Sequence, residues 1–310
     1  MNAPIKPALL LFVFTAALSN AAQGQSAYTF SIFDFPNAGG TGTVATGVNN
    51  AGDVVGYYYD TSDIQHGFVW AKGGMKTVDF PLSQARTSLY GVNNCGSVVG
   101  QIFLETQGTT QSFVLEGGEF TIVNYAGSVF TQAYGINDQD TVSGTYQLGT
   151  QDYGFQWSQG QFFTVSLPTQ HAAWVTGLND LGDVVGYYFE GKGSDQTNSG
   201  FAYIKKTNER FTLSFPGALN TSAMAINNLG QIVGSYQLSS QSNLEAFLYA
   251  DGVYTAIGPF ANGAVAWGIN DAGVIVGQLG QPYGGWLGFV ATPVASGGLR
   301  DSGGPSCGQQ

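Results

Sequence analysis

His66 and His171 are the only histidines in the chain, and two imidazoles meeting in space could run general acid–base chemistry near neutral pH. They stand in different stretches of the sequence, and neither lies in an HExxH or nucleophile-elbow context. The carboxylates around them, among them Asp34, Asp60, Asp63, Asp79, Glu105, Asp152, Glu190, Asp195 and Glu245, share no local spacing that would force one of a pair to keep its proton. No catalytic residue is assigned from the sequence. Recognition is the chemistry these residue types serve better. Arg86 is one of only nine basic residues in a chain of formal charge −11. Trp174, Tyr283 and Trp286 offer flat apolar faces for stacking, and Asp79 and His171 offer polar partners.

Two cysteines are present, Cys95 and Cys307, with no CxxC and no Cys/His cluster of zinc spacing. The expectation is no metal, no cofactor and, in an oxidising compartment, one Cys95–Cys307 disulfide.

Composition narrows the partners and the architecture. Nine Lys+Arg against 20 Asp+Glu make nucleic acid and anionic lipid poor partners. Only 9% of residues are charged, 46 are Gly and 14% are aromatic, which suits short strands and tight turns and suits helices poorly. The N-terminus carries Lys6, an apolar run Ala8–Leu18 too brief to span a bilayer, and a small-x-small site at Ser19-Asn20-Ala21. Residues 1–22 are expected to be a removable signal peptide, leaving a secreted or periplasmic protein without a membrane span. Residues 295–310, rich in Gly and Ser, are expected to form a flexible tail.

The elements that must position the candidate residues announce themselves as a repeat. "GVNNAGDVVGYY" at 47–58 returns at 91, 135, 177, 225 and 268, with the first Asn at Asn49, Asn93, Asn137, Asn179, Asn227 and Asn270. Steps of 42 to 48 residues belong to propeller blades or to some solenoids. Each unit reads as strand, Asn-Asx-x-Gly turn, strand with an internal Gly, variable loop, strand built on Phe, and a fourth strand such as "KTVDFP". The Asn series is read as turn chemistry, the Phe series (Phe68, Phe113, Phe155, Phe201, Phe247, Phe289) as packing between blades, and the strand glycines as bulges or close backbone approaches. Asp140 replaces the turn Gly in the third unit, which predicts the least ideal turn.

The last unit stops after its third strand, "GFVATPV" at 288–294, while a spare fourth-strand copy, "FSIFDFP", stands before the first unit at 30–36. A ring needs that displacement, because the N-terminal strand can complete the last blade and leave no open edge. A solenoid would need polar caps instead. The reading is all-β: residues 28–294 form a closed six-bladed β-propeller of four-stranded blades.

GINNxGxVVG repeats followed by a Gly/Ala-Phe strand resemble the HAF-type extracellular repeat family of secreted bacterial proteins, over residues 28 to about 294. The His-Ala-Phe element survives loosely, as "HGF" at 66–68 and "EAF" at 245–247. The resemblance implies export and repeat structure and carries over no catalytic residue.

In such a ring the turns joining strands one–two and three–four share one face, and the loops joining two–three and four–one share the other. The variable loops fall on the second face, where recognition is expected. Arg86, Trp174, His171, Asp79, Tyr283 and Trp286 are placed there as ligand-binding candidates. Thr43, Thr87, Thr131 and Thr221 are expected to line the central channel. The leading function is a binding or scaffold module, monomeric, recognising glycan or protein through this loop face. The alternative is a secreted glycan-active or other hydrolytic enzyme with carboxylates at the channel mouth.

Overall fold

The Asn-Asx-x-Gly turns close six inner hairpins. The fourth turn position needs left-handed backbone, and Gly52, Gly96, Gly182, Gly230 and Gly273 take φ of 74–85° there. Asp140 adopts φ 54° at the same place, so the third turn keeps its shape without glycine. The strained residue also gains a partner, because Asn93 Nδ2 donates to Asp140 Oδ1 at 2.9 Å.

The computed structural model describes residues 28–36, 38–82, 85–105, 108–165, 173–191, 196–258 and 260–294, and they contain strands and turns with no helix. Blade 1 comprises β2 (Thr43–Val48), β3 (Val54–Tyr59), β4 (Gln65–Ala71) and β5 (Gly74–Val78). Blade 2 comprises β6 (Ala85–Val92), β7 (Val98–Leu104), β8 (Thr109–Glu116) and β9 (Glu119–Val123). Blade 3 holds β10 (Thr131–Ile136), β11 (Val142–Leu148), β12 (Gln151–Ser158) and β13 (Gln161–Val165). Blade 4 holds β14 (Ala173–Leu178), β15 (Val184–Glu190), β16 (Thr197–Ile204) and β17 (Glu209–Leu213). Blade 5 runs β18 (Asn220–Ile226), β19 (Ile232–Gln237), β20 (Glu245–Ala250) and β21 (Val253–Ile257). Blade 6 runs β22 (Ala264–Ile269), β23 (Ile275–Gly280) and β24 (Trp286–Pro293), and its fourth strand is β1 (Tyr28–Phe33).

The ring therefore closes as its sequence requires. β1 pairs antiparallel with β24 from Tyr28↔Pro293 to Phe33↔Gly288. Phe30 is buried against Phe289, while Phe33 reaches Trp70 of blade 1 with ring centroids 4.9 Å apart. One short strand thus ties the last blade to the first.

Packing explains the glycines inside the second strands. Phe68, Phe113, Phe155, Phe247 and Phe289 are fully buried, and a Cβ at Gly56, Gly100, Gly144, Gly234 or Gly277 would collide with the first-strand carbonyl or with that Phe ring. The first strand opposite each of these glycines carries a bulge, for example between Ala45 and Gly47. Adjacent blades are sealed by a valine one residue earlier: Val55 packs into the cluster of blade 2, Val99 into that of blade 3, Val233 into that of blade 6 and Val276 into that of blade 1.

The threonine series does not line the channel. Thr43, Thr87, Thr131 and Thr221 are buried, and their hydroxyls accept from the backbone N–H of Phe35, Phe80, Tyr125 and Phe215 at 2.8–3.0 Å. They clamp the incoming four–one loops. Phe35, Tyr125 and Phe215 then stack on second-strand tyrosines, with centroids 3.7–3.9 Å apart.

Candidate binding face and central channel

The two mouths of the channel differ. At the turn mouth, the first Asn of each repeat folds its Oδ1 back on its own hairpin, as in Cys95 N and Ser97 N to Asn93 at 3.0 and 2.9 Å. Its Nδ2 donates to the backbone carbonyl of the next repeat's Asn: 49 to 93, 93 to 137, 137 to 179, 179 to 227, 227 to 270, and 270 back to 49, at 2.9–3.1 Å. A second belt links the following residue of each repeat. Asn50, Asn94, Asp138, Asp180, Asn228 and Asp271 each donate a backbone N–H to the next side chain around the ring, at 2.7–2.9 Å. The amides of Asn50, Asn94 and Asn228 donate to the neighbouring carboxylates at 2.7–3.0 Å. These side chains surround about 70 Å³ and are spent on one another.

Next along the channel come the bulged residues of the first strands: Thr46, Tyr90, Tyr134, Thr176, Met224 and Trp267, around a cavity of about 110 Å³. A bulge aims one extra side chain per blade at the axis. The inner strands approach closely at this level, since a Cβ on Gly47 would lie 2.7 Å from the Tyr90 carbonyl oxygen. Thr46 and Thr176 donate across the seams to Leu89 O and Ala223 O at 2.8 and 2.9 Å.

Toward the loop face the channel becomes aromatic. Tyr57 lies against Tyr59 and Tyr90, and Tyr90 meets Tyr134 edge-on at 5.1 Å. On the far side Trp174 stacks on Tyr187 at 6.0 Å. Burial raises the phenol of Tyr57 well above its ordinary value and pushes those of Tyr90 and Tyr187 up to about 12, with Asp152 adding to the rise at Tyr187. Tyr134 is raised first by burial and then by the phenols of Tyr90, Tyr187 and Tyr57. All remain protonated at neutral pH, and Tyr134 already donates its hydroxyl to Gln132 Oε1 at 2.9 Å.

Arg86, in β6, is held by Glu105 at 2.6 Å and by the Asp63 carbonyl at 3.2 Å. Asp79 instead accepts from His66 Nδ1 at 2.8 Å, and Asp60 approaches the other ring nitrogen at 3.6 Å. Hydrogen bonds from Ile64 and Ser62, with His66 beside it, hold the Asp60 carboxyl below its usual range. Trp174, in β14, donates Nε1 to Asp152 at 3.1 Å. Tyr283 stands fully exposed at the tip of the β23–β24 loop, and Trp286 begins β24, its N–H donated to Thr41 O at 3.0 Å. His171 lies outside the described residues, as does Cys307. No free thiol occurs among the described residues, where Cys95 occupies the exposed β6–β7 turn.

The five described candidates form separate groups around the loop face: Asp79 and Arg86 near the blade 1–2 seam, Trp174 in blade 4, and Tyr283 and Trp286 in blade 6. Sequence reasoning passed over Tyr90, Tyr134 and Trp267. Their signal was available, because each is the variable residue before the recurring Gly/Ala-x-Asn. Large apolar side chains, including Leu82, Phe103, Val129 and Leu238, are also exposed along the loops of this face. Among the described residues, no group of three or more His, Cys, Asp or Glu is placed to hold a metal ion, and no helix is long and apolar enough to cross a membrane.

The sequence matches no protein-family model and no curated protein. Solved propellers resemble the fold. TolB from Acinetobacter baumannii aligns with TM-score 0.54 and 11% identity over 77% of this chain and 63% of its own. The β-propeller domain of the trilobed protease from Pyrococcus furiosus aligns with TM-score 0.52 and 11% identity over 86% of this chain and 85% of its own. That archaeal domain has an open velcro topology, whereas here β1 closes the ring. At these identities the likeness establishes the class alone: an all-β, six-bladed propeller.

Proposed function

We propose that this chain is an exported binding module that holds a glycan at the loop-face mouth of its channel. The observation that carries this reading is the run of ring contacts from Tyr57 through Tyr90 to Tyr134, with Trp174 stacked on Tyr187 in blade 4. Sugars present hydroxyls to phenols and C–H faces to such rings. Arg86 and Glu105 at the rim add a polar pair for orientation. On this face Asp79, Glu105, Asp63 and Asp152 are already engaged by His66, Arg86, Thr41 and Trp174, whereas burial raises the Glu245 carboxyl above its ordinary value.

Export rests on the leader in residues 1–22, and membership of the HAF-type repeats rests on the GINNxGxVVG pattern. The protein acts as a monomer, with residues 295–310 as a tail that delivers Cys307 to Cys95.

A glycan array run beside a broad hydrolase panel on the mature protein tests the reading. Arg86→Ala and Trp174→Ala should each weaken the captured ligand by about 1–2 kcal/mol or more, while Asn50→Ala leaves affinity unchanged. Sensitivity to Asn50 with indifference to Arg86 and Trp174 would place the site on the opposite face.

A further inference from the structure

Six repeats serve as controls for one another, and the seam between blades 3 and 4 breaks their rule. On the blade face turned to the next blade, directly paired residues of the second and third strands are apolar. They are Val55–Val69, Val99–Val114, Val185–Ala202, Val233–Leu248 and Val276–Val290. Blade 3 has Ser143–Gln156 instead, followed on β13 by Phe163. Ser143 is completely buried, and its hydroxyl has no hydrogen-bond partner. Phe163 is 54% exposed.

Where the apolar seal is missing, two adjoining cavities of about 440 and 260 Å³ open, sharing Gln156 and Phe163. The larger lies in the range that holds a small ligand. Its far wall is blade 4, with Lys205 over the first cavity and Arg210 over the second. The Arg210 guanidinium rests 4.4 Å from the centre of the Tyr203 ring. Lys205, Lys206 and Arg210 place three of the chain's nine basic residues within one short stretch of an acidic protein. Lys205 makes no ion pair among the described residues. The nearby carboxylates are occupied. Asp180 accepts from Asp138 N and Asn228 Nδ2, each at 2.7 Å, and Asp183 accepts from the Lys205 N–H and Asn179 Nδ2 at 2.9 and 3.0 Å.

We propose that this groove is a second binding site, specific for an acidic saccharide of the uronic-acid class. The sugar's C–H face lies on Phe163, its hydroxyls meet Gln156 and Gln139, and its carboxylate is drawn to Lys205. The site stands apart from the loop face and does not depend on the reading given to that face.

Titration calorimetry on the mature protein, with oligogalacturonate, oligoalginate and glucuronoxylan fragments and with methyl-esterified oligogalacturonate as the neutral counterpart, tests it. At least one acidic oligosaccharide should bind, and its ester should bind at least tenfold more weakly. Lys205→Gln and Phe163→Ala should each weaken binding at least tenfold, whereas Arg86→Ala and Trp174→Ala leave it unchanged. Ser143→Val/Gln156→Val, which writes the seam of the other blades into blade 3, should abolish binding and raise the melting temperature, so loss of binding cannot be laid to unfolding. Binding of none of the acids, equal binding of acid and ester, or indifference to Lys205→Gln and Phe163→Ala would each overturn the proposal.

Discussion

The two mouths of the channel are built from the same six repeats and follow opposite rules. At the turn mouth nearly every polar group is satisfied by the next blade, in two belts that run round the ring and close on their own beginning. Among the described residues, no belt runs round the loop mouth. Arg86–Glu105, His66–Asp79 and Trp174–Asp152 are local pairs, each found in one blade or seam only. Repetition of a polar residue here marks mutual satisfaction, and irregularity marks groups with capacity left for a ligand. The Asn-Asx series is the loudest signal in the sequence, and its chemistry is used up by the fold.

The comparison can be broken most severely at the ring's closure. Deleting residues 22–36 removes β1, strips Phe30 and Phe33 from their sites and exposes the edge of β24. Losing three buried phenylalanines, Phe30, Phe33 and Phe35, at roughly 3–5 kcal/mol each should leave a protein that aggregates or melts far lower. A truncated chain that stays monomeric by light scattering, with unchanged melting, would refute closure by β1.

The turn face should also carry the covalent link. We expect no free thiol when the mature, unreduced protein is unfolded and titrated, and a loss of about 2–4 kcal/mol of stability in Cys307→Ser. Two titratable thiols would dismiss the bridge.

Within the belts, Asn49→Ala removes the acceptor for Asp53 N–H and the donor to Asn93 O together. Buried groups left without partners should cost about 1–3 kcal/mol in denaturant unfolding. Ligand affinity should not change, the converse of Arg86→Ala. A matching loss of affinity would erase the distinction between the two mouths.

The smallest effect sharpens the comparison at its exception. Ser143→Val replaces a buried, unpartnered hydroxyl, and space exists, because Val55, Val99 and Val185 occupy the corresponding place beside the glycines of their own first strands. Thermal melting should show a gain on the order of 1 kcal/mol. A loss would mean that Ser143 makes a contact its surroundings do not reveal.

How much of this was legible beforehand varies with the range of the interaction. The hairpins, the buried Phe series and the displaced β1 were readable because turns and strand alternation are local, and a missing strand in one unit can be matched to a spare elsewhere. The partner of Arg86 was not. Asp79 is the nearer acid in sequence, yet the fold gives it to His66 and brings Glu105 to Arg86 across the β6–β7 pairing. The threonine series was misread for the same reason, since only the folded loop shows which N–H each hydroxyl receives.

By itself the sequence determined the number of blades, the strand order within each and the means of closing the ring, because local turn chemistry repeated six times admits few other arrangements. It also held the exception at Ser143–Gln156, though without its meaning. The tertiary structure alone decided which residues face the axis, that the Asn series closes two belts, and that one seam opens into a groove. Those outcomes depend on the distance between neighbouring blades, set by first-strand bulges and glycines whose partners lie more than forty residues away in the chain.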